Sequence, residues 1–135
     1  MNAQSVLFKT SRFNLSIVKE HFINRCCFGE DLASWLGARL VGKGINVSAP
    51  GQEDWGWYLR ATCGQDSYLL GMNGNFDRNG TAVNEGEWRI IVEKKRSVWQ
   101  RVARRGRIAD GDPMVTTIED IIRGEPEFRD LRLEK

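Results

Sequence analysis

The run Pro50-Gly51-Gln52-Glu53-Asp54-Trp55-Gly56-Trp57-Tyr58 sets two adjacent carboxylates beside three large aromatics. Carboxylates hold cations or move protons, and amphipathic aromatics line binding surfaces. A Pro-Gly turn leading into a strand delivers them together. Strand alternation then predicts Trp55, Trp57 and Leu59 on one face, with Asp54, Gly56, Tyr58 and Arg60 on the other. The gap at Gly56 can admit a ligand, a partner side chain or another backbone. The expected working surface is Glu53, Asp54, Trp55, Tyr58 and Arg60, joined by Trp57 and Trp88. Five tryptophans are many for a chain of 135 residues. They either seal the core or, at Trp55, Trp57 and Trp88, line a cleft of the kind that dominates binding sites.

Three acids, Asp31, Glu53 and Asp54, offer a second chemistry. If the strand carrying Asp54 lies beside the helix that Asp31 opens, they could share a divalent ion through oxygen ligands and support a hydrolase or nuclease. Against this, Glu30 and Asp31 suit the first turn of a helix, while Glu53 and Asp54 suit a solvated turn. No matched base, nucleophile or oxyanion donor stands beside them, so no catalytic residue and no resident metal or cofactor is expected. His21 is the only histidine and no G-x-S-x-G elbow is present. Three cysteines, Cys26, Cys27 and Cys63, fall short of a zinc set and of a paired disulfide framework. Cys27 and Cys63 read as small buried apolar residues in a reducing compartment.

The segments Phe22-Ile23-Asn24-Arg25-Cys26-Cys27-Phe28-Gly29-Glu30-Asp31, Trp35-Leu36 and Pro50 to Trp57 resemble a family of small uncharacterised bacterial proteins, several of which look like mobile gene cassette products. Arg25 stands where such relatives usually carry proline. The resemblance covers roughly residues 20–60 and brings no activity, cofactor or catalytic residue. It implies that Asn24 to Asp31 and Gln52 to Trp57 belong to one site.

Formal net charge is only +2, but it is unevenly spread. Seven basic residues and no acids lie between Lys94 and Arg107, and eight acids follow from Asp110 onward. A basic helix over about 96–104, with Arg101, Arg104, Arg105 and Arg107 around Trp99, could grip phosphate. An acidic segment so close by can neutralise it within the fold, so nucleic-acid binding through 94–107 is a second alternative and is not expected. The expected partner is a protein, such as a toxin in an immunity-type pair, or a small molecule; self-association is compatible with either. No apolar run approaches the roughly 20 residues that span a bilayer, and no secretory leader pattern opens the chain, so a cytoplasmic setting is expected.

Elements must position these residues. Alternating apolar residues predict a strand over 5–18 with a break near Ser11-Arg12. Leu32, Ala33, Trp35, Leu36 and Leu40 predict a helix over about 30–41, stopped by Gly42 and Gly44. Strands follow at Ile45–Ser48, Trp55–Cys63, Tyr68–Met72 and Trp88–Glu93. Between the last two, Asn73 to Gly86 reads as a long loop, and Gly71-Met72-Asn73-Gly74-Asn75-Phe76, which overlaps its start, as a turn. Asp112-Pro113 predicts the cap and first position of a helix burying Met114, Val115, Ile118, Ile121 and Ile122, with Thr116 to Glu119 as an alternative capping box. Phe128, Leu131 and Leu133 supply a last strand. The pattern predicts one α+β domain over 1–135: a mainly antiparallel sheet with about three helices packed on one face.

Overall fold

A computed structural model describes residues 3–13, 28–76, 86–95 and 111–134. Its strands are β1 (Ala3–Thr10), β2 (Asn46–Val47), β3 (Gly51–Glu53), β4 (Gly56–Cys63), β5 (Asp66–Phe76), β6 (Gly86–Lys95) and β7 (Arg129–Glu134). The helices are α1 (Glu30–Val41) and α2 (Pro113–Arg123). All strands join one antiparallel sheet in the order β2-β4-β5-β6-β1-β7, with β3 also paired to β4.

The antiparallel sheet is larger than the sequence pattern predicts, and the expected set of about three helices is overturned. Among the described residues there are seven strands and two helices, with about half of those residues in strands. The expected basic helix over 96–104 lies outside the described residues, as do His21, Cys26 and Cys27. Two features account for much of the missed strand content. The three-residue β3 is too short to show a period, and β5 runs straight through Gly71 to Phe76, where a turn is predicted. A glycine in a strand leaves room above the backbone, and here both glycines are roofed by tryptophans from opposite sides. A Cβ on Gly71 would lie 2.6 Å from Trp55 Cη2, and one on Gly74 would lie 2.5 Å from Trp88 Cε3.

One face of the sheet carries Leu59 and Ala61 of β4, Tyr68, Leu70 and Met72 of β5, Trp88, Ile90 and Val92 of β6, and Val6 and Phe8 of β1. Both helices bury their apolar stripes in this same core. Helix α1 sets Leu32, Leu36 and Leu40 one turn apart, with Gly37 allowing close approach to Leu59 and Val47. Helix α2 begins as the sequence predicts: Pro113 is its first residue, and the buried Asp112 carboxylate accepts from the Met114 N–H at 2.9 Å. An aromatic cluster of Phe8, Phe13, Trp35, Trp88 and Phe128 closes one end of the core. Over Trp35 lie the guanidinium groups of Arg12 and Arg39, at 5.5 and 5.2 Å from the ring centroid, both paired to Glu125.

Asp112 also accepts from the Tyr68 hydroxyl at 3.1 Å and faces Lys94 Nζ at 3.8 Å, tying the start of α2 to β5 and β6. Burial, and then the Asp112 charge, push the Tyr68 hydroxyl pKa well above its usual value of 10.0. A folded-state pKa above the unfolded one means that the contribution is complete below about pH 10 and is lost as pH rises beyond it, at up to about 1.4 kcal/mol per pH unit. Urea midpoints at about pH 9 and 11 check this: the wild type should fall more steeply than Tyr68→Phe. Identical slopes would remove Tyr68 as the cause.

Candidate functional site

Glu53 pairs with Gly56, so Asp54 and Trp55 form a two-residue hairpin loop between β3 and β4. This loop overturns the face predicted for Trp55, while Trp57 with Leu59, and Tyr58 with Arg60, keep the shared faces predicted for them. Trp55 is not a strand residue beside Trp57. It leaves the turn and folds back over the sheet face opposite the helices, with its distal ring edge on Gly71. Trp57 instead is 4 % exposed on the helix-bearing side, and Trp88 is fully buried in the core. Neither belongs to the surface expected for it. The gap at Gly56 is filled by a backbone, the Met72 carbonyl oxygen, which was one of its three expected uses.

The resulting face is built row by row across the strands. Tyr58, Gly71 and Ile91 share one register row, and Arg60, Leu69 and Glu93 the next. Lys95 follows two residues beyond Glu93 on the same face. Tyr58 leans outward over Gly51, where a Cβ would lie 2.5 Å from its Cζ. Trp55, 42 % exposed, stands between two recesses. One of about 150 Å³ is lined by Glu53, Trp55, Tyr58, Arg60, Leu69 and Lys95. The other, of about 330 Å³, is lined by Trp55, Leu69, Gly71, Ile91 and Glu93. Trp55 and Leu69 border both.

Charges here are only partly neutralised. Lys95 Nζ lies 3.5 Å from Glu93 Oε1. The Arg60 guanidinium sits 5.8 Å from the centre of the Tyr58 ring and has no ion-pair partner among the described residues. Glu53 is exposed and likewise has none among them. The backbone of Arg60 is pinned by the segment that follows β2, because its N–H donates to Ser48 Oγ at 2.9 Å. Arg60 is therefore a charge held on a firm base and stacked on an aromatic ring.

Of the seven expected surface residues, the structure brings Glu53, Trp55, Tyr58 and Arg60 together. Asp54 is exposed in the adjoining turn, and Trp57 and Trp88 lie on the far side of the sheet. Leu69, Ile91, Glu93 and Lys95 complete the face and were missed. A signal for two of them exists in the sequence: Leu69 and Ile91 are apolar residues out of phase with the core positions Leu70 and Ile90. Gly29 of the first of the two segments expected to share a site lies close to Trp57 of the second: a Cβ there would be 3.4 Å from Trp57 Cδ1. Asp31 belongs to α1, on the helix-bearing side, and its Oδ1 accepts from Leu32 N–H at 3.0 Å. Among the described residues no three His, Cys, Asp or Glu side chains are placed to hold a metal ion. Cys63 is exposed at the β4–β5 turn rather than buried, because it lies at the strand's end, where alternation no longer faces it to the core. Among the described residues no helix is long and apolar enough to cross a membrane. Compared with known proteins, the chain matches no family model, no curated protein and no solved structure.

Proposed function

We propose that this is a cytoplasmic binding protein whose working surface is the open sheet face around Glu53, Asp54, Trp55, Tyr58 and Arg60. The single observation that carries the reading is the placement of Trp55, a large indole spent on an open face, where it walls two recesses instead of filling the core. Exposed aromatics of this kind concentrate binding energy when a ligand covers them. The larger recess lies within the range of about 300–1,000 Å³ typical of small-molecule sites. The odd cysteine count and exposed Cys63 thiol suit a reducing compartment.

Amide shift mapping with a mixture of small polar aromatics tests the site. Shifts should cluster at residues 53–60, 69–71 and 91–95, and a cluster elsewhere or no shifts would sink the reading. Trp55→Ala should weaken the best binder at least tenfold while costing about 1 kcal/mol of stability or less, because the side chain is exposed. Gly71→Ala should act in the same direction, since its new methyl takes the place of the indole edge.

A further inference from the structure

Resting on that binding reading, we infer that the Trp55 face takes a small zwitterion: a free amino acid with a large apolar side chain. Two charges of opposite sign, Glu53 and Arg60, neither ion-paired among the described residues, line the same recess of about 150 Å³. A ligand with an ammonium and a carboxylate a few bonds apart satisfies both. The guanidinium fork of Arg60 matches a carboxylate in geometry, and Lys95 lies on the same recess as a second cation. Glu53 accepts from the ammonium. The apolar side chain then passes Trp55 into the second recess, walled by Leu69, Gly71 and Ile91.

Competing ligand classes fit this charge pattern less well. A phosphate ester would meet the carboxylates of Glu53 and Glu93, and a simple amine would leave Arg60 unsatisfied. A nucleic-acid strand needs a basic track, whereas this face alternates acid and base. A polypeptide separates its ammonium and carboxylate to opposite ends of the chain, so an amino acid in free form fits where a peptide does not.

Isothermal titration of the full chain with L-phenylalanine, 3-phenylpropionate and 2-phenylethylamine separates the contributions. L-phenylalanine should bind at least tenfold more tightly than either single-charge analogue. Arg60→Gln should bring its affinity down to that of the amine, and Glu53→Gln down to that of the acid. Both residues are exposed, so unfolding midpoints of the variants should match the wild type. Equal affinity for the acid or the amine, or unchanged affinity in both variants, overturns the inference. Failure of L-phenylalanine to bind, while other small aromatics still shift the face, also overturns it and leaves the binding reading standing. Silence from every probe removes both.

Discussion

Trp88→Ala is expected to lower unfolding free energy by about 3–5 kcal/mol, the range for deleting a fully buried indole from a packed core. Small domains have about 5–15 kcal/mol in total, so this one change brings the protein close to its limit. The magnitude follows from position. Trp88 has no exposed surface, lies over Gly74, and meets Phe13 edge-on at 5.6 Å between ring centres. The Gly74 backbone beneath it is held in a paired strand and cannot move into the void. Trp88→Phe should cost much less: it keeps most of the apolar volume and removes an indole N–H that is buried without a hydrogen-bond partner among the described residues. Urea titrations followed by circular dichroism measure both. A cost below about 1 kcal/mol for Trp88→Ala would mean that the residue does not anchor the core.

The second large effect is expected at Gly56→Ala, at about 2–5 kcal/mol, combining backbone strain with a steric clash. Gly56 has φ of 157°. Its added methyl would be driven against the Met72 carbonyl oxygen, and backbone in the middle of a paired strand cannot swing aside. Gly44→Ala is the matched control. It too has a positive φ, 82°, but nothing lies within 4 Å of its Cβ position, so only the conformational cost of about 1–2 kcal/mol applies. If the two variants have equal urea midpoints, close approach to Met72 is not what keeps Gly56 a glycine.

Legibility in the sequence followed the strength of local signals. Helix α2 could be read almost residue by residue, because its cap, its first proline and its apolar spacing all act within one turn. Helix α1 was equally plain. The sheet was harder. Gly71 and Gly74 look like turn residues until the tryptophans that roof them are known, and those come from β6 and from the β3–β4 hairpin. The site shows the same limit. Alternation assumes that Trp55 is already in a strand, but the chain reverses at Asp54-Trp55, and a one-residue change in where β4 starts moves that indole to the other face. Glu93 and Lys95 carry no local mark at all; only the pairing of β5 with β6 brings them beside Leu69.

The order of the strands has a consequence for self-association. A sheet that ends in a long, flat, apolar strand offers its unpaired amides and carbonyls as a template for another molecule. Here the β2 side ends in segments of only two and three residues. The β7 side ends in a strand of Arg, Asp, Leu, Arg, Leu and Glu, interrupted at Asp130, whose φ of 55° departs from the extended path. Short reach at one margin, and charge with a kink at the other, make both poor templates for strand addition. A protein with half its described residues in one sheet is thereby guarded against growing that sheet into aggregates.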